Sequence, residues 1–140
     1  MTIKRLAGKT KIMYFLNATS TAFSADSFVT FDGSGAITPA TSSSTKILGV
    51  YRGAAITSAS AAYTTAAWQP VEVPVEKYVE WECTCTGGAT NKVGVSVDLT
   101  DASTVAVGSS THHVVTVSKY ISSTKVGVFI NAPWDAVAGA

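Results

Sequence analysis

The chain has 140 residues, 46% of them apolar and only 14% charged, and Ser and Thr together make up about a quarter. The apolar share excludes general disorder, and charge at roughly half the usual frequency leaves too few Glu, Lys and Arg for a coiled coil. A formal net charge of +1 excludes a broad electrostatic footprint for nucleic acid or an anionic membrane, and the length suits one domain whose core needs no disulfide or metal staple.

The charge is unevenly spread. Lys4, Arg5, Lys9 and Lys11 all precede the first acid, Asp26, so the opening segment carries +4 and the remainder −3. Residues 1–45 read as a basic N-terminal arm with an irregular, partly β segment, and residues 46–140 as the β domain proper. The apolar run Ile12, Met13, Tyr14, Phe15 and Leu16 mimics a secretory leader, but five residues fall short of the roughly 7–15 required. No stretch approaches the ~20 apolar residues that span a bilayer, so the chain is expected to be unprocessed and soluble. Asn17, Ala18 and Thr19 have the form of a glycosylation sequon, without a secretory route to use it.

In chain order, residues 11–16 and 28–31 read as strands, followed by a turn over Asp32, Gly33, Ser34 and Gly35. The Ser/Thr stretch 39–45 is a loop or hinge, and 47–51 the next strand. Residues 58–67 hold Ala enough for one helical turn, against their Ser, Thr and Tyr content. From Val71 onward apolar side chains take odd positions, through Val73, Val75, Val79, Trp81, Cys83 and Cys85, while Glu72, Glu76, Glu80 and Glu82 take even ones. That two-residue period means strand, with Trp81 inward and the glutamates on a solvated face. Lys77 and Tyr78 break the alternation and Pro74 lacks a donor, which gives strands at 71–75, expected at a sheet edge, and 78–86. The turn-formers 87–91 then join 78–86 to a strand at 93–97 as a hairpin. Residues 104–107, 113–121 and 125–131 are rich in β-branched side chains and separated by 108–110 and 122–124. The expectation is an all-β fold, a sandwich or small barrel of short antiparallel strands preceded by the N-terminal arm.

Chemical signals are few. Glu80 and Glu82 lie about 7 Å apart on one strand face, a spacing glycosidases use, but a solvated face would place them there anyway. Asp98 and Asp101 are two acids where a calcium loop supplies three or more, so turn and strand-end roles are expected of them. Cys83 and Cys85, two apart on a strand, stand at the outer limit for a disulfide and are expected as free thiols. The adjacent His112 and His113 point to opposite faces of a strand and cannot hold one ion together; as an enzyme the chain would need one of them in a cleft beside a carboxylate. No catalytic, metal or cofactor-binding residue is therefore assigned. Trp68 and Trp134, next to Pro70 and Pro133, are the candidate anchors of an oligomer or partner interface, or of a sugar-stacking platform.

Several segments carry a resemblance: Ile47-Leu48-Gly49-Val50-Tyr51-Arg52, Val71-Glu72-Val73-Pro74-Val75-Glu76, Val79-Glu80-Trp81-Glu82, Val97-Asp98-Leu99-Thr100-Asp101 and Ser123-Thr124-Lys125-Val126-Gly127-Val128. In this order they resemble small bacteriophage head proteins of the decoration, or capsid cement, type, over residues 47 to 131. The resemblance implies a non-enzymatic β-rich virion protein on the capsid exterior that binds the major capsid protein, as a homo-oligomer and commonly a trimer, and stabilises the shell. On that reading Lys4, Arg5, Lys9 and Lys11 are the capsid contacts, with no cofactor, nucleic acid or membrane involved. A head-fibre anchor or tail protein is the neighbouring reading. A carbohydrate-binding β-sandwich module is the alternative from another class.

Overall fold

The computed structural model describes residues 3–131. In chain order these form β1 (Lys4–Ala7), β2 (Thr10–Leu16), β3 (Ser27–Phe31), β4 (Ile37–Pro39), β5 (Gly49–Tyr51), the helical turn α1 (Ala61–Thr64), β6 (Trp68–Pro74), β7 (Glu80–Thr86), β8 (Ser96–Asp101), β9 (Thr104–Ala106), β10 (Val115–Ser122) and β11 (Lys125–Ile130). The all-β expectation holds, and a barrel accounts for half of it.

Strands β7, β11, β10, β8 and β9 pair in that order, and β9 returns to β7 through Cys85↔Val105 to close a ring. A ring with an odd number of strands cannot alternate direction all the way round. One neighbouring pair must run parallel, and here it is β7 and β9. The inward period fills the barrel: Trp81, Cys83 and Cys85 face Val128, Val126 and Val105, and each is at most 3% exposed. The remaining half of that β7 edge is taken by β1, with Lys4 opposite Glu82 and Arg5 opposite Trp81.

The second sheet has the order β2-β6-β5-β3-β4. Its two faces bury different cores. Phe28 and Val50 pack with the barrel residues, whereas Val29, Tyr51, Val71 and Val73 form a second cluster with Phe23, Ile37 and Ile56. Gly8 is the pivot between the sheets: its φ of +96° is open to glycine, and a Cβ there would come within 2.8 Å of Val79 Cα.

Four sequence expectations change. Residues 1–45 are not an arm apart from a domain: β1 completes the barrel edge, Ile3 is fully buried, and β2, β3 and β4 share a sheet with β5 and β6. A basic stretch can look like a loose terminus while its alternate backbone groups serve two ladders. The hairpin joining 78–86 to 93–97 does not form, because β7 is occupied by β11 on one side and by β1 and β9 on the other. Instead a 3₁₀ turn at Thr90–Lys92 and Gly94 at φ +89° redirect the chain, leaving Val93 and Val95 exposed before β8 begins. The strand containing 71–75 lies inside its sheet, between β2 and β6's other neighbour β5. Its prolines are tolerated because β5 is three residues long: Pro70 accepts from Arg52 at 2.9 Å at one limit of β5, and Pro74 lies beyond the other. Finally, Glu72 is buried rather than solvated, and Asp98, expected in a turn or at a strand end, is buried within β8.

Cys83 and Cys85 are free thiols on the inward face. Burial, then the neighbouring Cys85 and Glu82, push the Cys83 thiol far above its ordinary range, and burial also raises Cys85. Both should be inert to an aromatic disulfide reagent at pH 8 in the native protein, and two thiols per chain should appear on unfolding. Rapid native labelling of Cys83 would contradict the closed barrel.

Candidate interaction surface

Antiparallel register between β2 and β6 sets Ile12 opposite Glu72, Tyr14 opposite Pro70 and Leu16 opposite Trp68 on one face, with Met13 opposite Val71 and Phe15 opposite Gln69 on the other. Val71 and Phe15 belong to the second core, so the face carrying Ile12 and Tyr14 points out. Ile12 is 50% exposed, Tyr14 61% and Trp68 67%, and Pro70 and Leu16 lie between them. Five successive apolar residues in β2 force this outcome: a strand whose apolar run ignores the two-residue period must show apolar side chains on both faces.

A charged cluster anchors this face to the barrel. Glu72 Oε1 accepts from Arg52 Nε at 2.9 Å, and its Oε2 accepts from the Thr10 hydroxyl at 2.7 Å and pairs with Arg5 Nε at 3.0 Å. Arg52 Nη1 also donates to Asp26 at 2.7 Å and to the Ile3 carbonyl at 2.8 Å. Burial alone would raise the Glu72 carboxyl; the Thr10 hydroxyl and the Arg52 and Arg5 guanidinium groups outweigh it and hold Glu72 below the usual range. Arg5 belongs to the barrel sheet and Glu72 to the second sheet, so the cluster bolts one to the other.

Of the residues the sequence singled out, Trp68 joins the exposed face and Trp134 lies outside the described residues. Lys4, Lys9 and Lys11 are exposed, Lys11 on β2 on the face opposite Ile12 and Tyr14, and Lys4 on the outside of the barrel. Arg5 is half committed inward: it binds Glu72 and donates to the Gly8 carbonyl at 2.7 Å. Ile12 and Tyr14 are the members of this surface that sequence reasoning missed, and the unbroken run from Ile12 to Leu16 was the signal for them.

Elsewhere the polar groups serve the fold. Glu80 accepts from the Ser118 hydroxyl at 2.6 Å on the outside of the barrel. Asp98 accepts from Ser109 Oγ and from the backbone N–H groups of Thr111, His112 and His113 at 2.6–2.9 Å, fastening the loop before β10. His112 Nδ1 stands 3.7 Å from Asp98, whose oxygens these four donors already engage. Asp101 closes a turn by accepting from Ser103 N–H at 2.8 Å, the role expected of it. Among the described residues no group of three or more His, Cys, Asp or Glu could hold a metal, and no helix is long and apolar enough to cross a membrane.

No protein-family model matches this chain, and no curated protein aligns with it significantly.

Proposed function

We propose that this chain is a structural virion protein that docks on the outside of an assembled bacteriophage capsid and stabilises it without catalysis. The observation that carries the reading is the exposed apolar row of Ile12, Tyr14 and Trp68 on one face of β2 and β6. A flat face of this kind makes a modest contact with another protein surface, and its aromatic members are the residue types that dominate such contacts. Repeated over many copies on a lattice, modest contacts add up to strong retention, and each copy that bridges capsomers raises the free energy of opening the shell. The sequence resemblance supplies the partner, the major capsid protein, and the expectation of a trimer on the capsid exterior. Lys4, Lys9 and Lys11 would meet acidic capsid side chains, so binding should weaken as salt rises.

Co-sedimentation with expanded capsids tests this. The protein should pellet with them, Trp68→Ala should weaken binding at least tenfold, and thermal unfolding should hardly change because Trp68 is outside both cores. Deleting residues 1–11 is the wrong test, since it strips β1 and Ile3 from the barrel; Lys4→Ser with Lys11→Ser isolates the charges instead. Failure to bind capsids, together with retention on an oligosaccharide matrix that Trp68→Ala abolishes, would replace this reading with a carbohydrate-binding module, for which Tyr14 and Trp68 would be the stacking platform.

A further inference from the structure

The two halves of the molecule share one topology. In the second sheet the strand order is β2-β6-β5-β3-β4, and the parallel bridge Asn17↔Ile37 carries β4 back to β2. In the barrel the order is β7-β11-β10-β8-β9, and the parallel pairing of β9 with β7 closes it. Strand for strand, the second order is the first moved five strands along the chain. The registers agree as well. Met13 pairs with Val71 and Val71 with Tyr51, as Trp81 pairs with Val128 and Val128 with Val117. Val29 pairs with Gly49 as Val97 pairs with Val115, and Phe31 with Ile37 as Leu99 with Val105. The rings close on Asn17 and on Cys85, each equally far along its strand from the Met13 or Trp81 where the circuit began. Connecting hydrogen bonds repeat too. Asp26 N–H donates to the Tyr51 carbonyl at 2.9 Å and Gly94 N–H to the Val117 carbonyl at 2.7 Å, and both donors lie at positive φ. Leu48 N–H donates to the Val29 carbonyl at 2.9 Å, as Val114 does to Val97 at 3.0 Å. Asn17 N–H donates to the Ala67 carbonyl at 3.3 Å, as Cys85 does to Thr124 at 2.9 Å. A slip of one residue anywhere would turn a strand inside out, so a chance likeness of strand order would not carry register round both rings and into their connections. Between residues 10–39 and their counterparts, Val29 and Val97 are the one identical pair, which is why the amino-acid sequence hides the repeat.

We propose that β2–β6 and β7–β11 are two tandem copies of one five-stranded unit, and that only the first copy carries an outer wall built for contact with another molecule. Each copy is a control for what the other's fold requires. At the outward places of Tyr14, Leu16 and Trp68 the second copy has Glu82, Thr84 and Lys125, so this fold does not need apolar side chains there. At the outward places of Phe28 and Val50 it has Ser96 and Thr116, whose hydroxyls lie 3.0 Å apart in a hydrogen bond. Phe28 and Val50 are apolar because the second copy covers them: both are fully buried and pack into its core. Tyr14 and Trp68 depart from the second copy in the same direction and stay exposed. A contact inside the chain accounts for the first departure, and a contact with a partner accounts for the second. The identity of that partner rests on the capsid reading. On a shell, the first copy would face the lattice and the second would point away from it.

Writing the second copy's residues into the first tests both steps on the full chain. Tyr14→Glu, Leu16→Thr and Trp68→Lys together should shift the thermal melt by less than about 5 °C. Val50→Thr, the same kind of exchange made under the barrel, should lower it by more than that, because it buries a hydroxyl among apolar side chains. Ile12 stays in place, since its cross-strand partner is Glu72 where the second copy has Phe129 opposite Glu80. The triple variant should bind expanded capsids at least tenfold more weakly in co-sedimentation, whereas Glu82→Ala with Lys125→Ala in the second copy should bind as wild type does. A triple variant that melts as low as Val50→Thr, or lower, would overturn the equivalence of the copies, because the second copy's residues would then not fit the first. A wild-type melt combined with wild-type capsid binding would overturn the assignment of contact to the first copy. If wild type itself fails to bind capsids while the melts behave as stated, the capsid reading falls and the duplication stands.

Discussion

Arg52→Met should lower the unfolding free energy by about 3 kcal/mol, equivalent to roughly 10 °C in melting temperature. Arg52 is the hub between the two sheets: its guanidinium holds Glu72, Asp26 and the Ile3 carbonyl at once. Methionine fills much of the volume but leaves a carboxylate that is only 12% exposed with Arg5 and Thr10 as its remaining partners. Removing one member of a buried pair costs about 3–5 kcal/mol, and the 21% exposure of Arg52 puts the effect at the low end. The penalty is an uncompensated charge, not a lost attraction. Adding Glu72→Leu to Arg52→Met should therefore recover part of the loss, and a urea melt of the double variant lying above the single one would show it. The effect should also depend on pH. The folded Glu72 carboxyl lies below its unfolded value, so its contribution is complete above the ordinary glutamate range and fades as pH falls through the lower, folded value. If Arg52→Met melted like wild type at pH 7, the cluster would not be what joins the sheets.

What the sequence could and could not show follows from the range of the physics involved. Trp81 is inward by the two-residue period alone, and it is fully buried. Asp32 with Gly33 and Gly35 encodes a turn locally, and Asp32 Oδ1 does accept from Ser34 N–H at 2.7 Å. The strand-forming residues are likewise found where β-branched and alternating side chains lie. Pairing is different. Nothing within residues 78–97 says that β7 will have both sides filled by β11, β1 and β9, since those partners arrive from both ends of the chain. A turn-rich connection is compatible with a hairpin and with a strand-to-strand crossing alike. The same limit hid Glu72 and Asp98. Their even phase puts them opposite the barrel's and the second core's apolar faces, but a second layer covers Glu72 and a folded-back loop covers Asp98, and only three-dimensional neighbours reveal such a cover. The candidate surface is half visible in the sequence: Trp68 beside a proline suggests an anchor, whereas reading residues 11–16 as a strand does not by itself say which of its two apolar faces stays uncovered.

Asp98→Asn should destabilise the protein by about 3 kcal/mol at pH 7 and by much less near pH 2. Asp98 is 3% exposed and receives three backbone N–H groups and one hydroxyl. Burial alone would raise its carboxyl; the Ser109 hydroxyl and the His112, His113 and Thr111 N–H groups reverse that and bring it down to about 2. Asparagine keeps one acceptor oxygen and turns an NH₂ donor toward donors, so one side of the loop loses its partner and the buried N–H groups there go unsatisfied. Because the folded value lies below the unfolded one of 3.8, the ionised carboxylate stabilises the fold fully above about pH 4–5. That contribution drains away as pH falls toward 2, where wild-type Asp98 also takes up a proton. Urea melts of wild type and Asp98→Asn should thus be far apart at pH 7 and converge between pH 4 and 2. A gap independent of pH would mean that packing of the Ser109 to His113 loop, not the charge of Asp98, holds β10 in place. The neighbouring Asp101→Asn serves as the comparison, since its exposed carboxylate accepts a single backbone bond from Ser103 and its loss should shift the melt by less than about 1 kcal/mol.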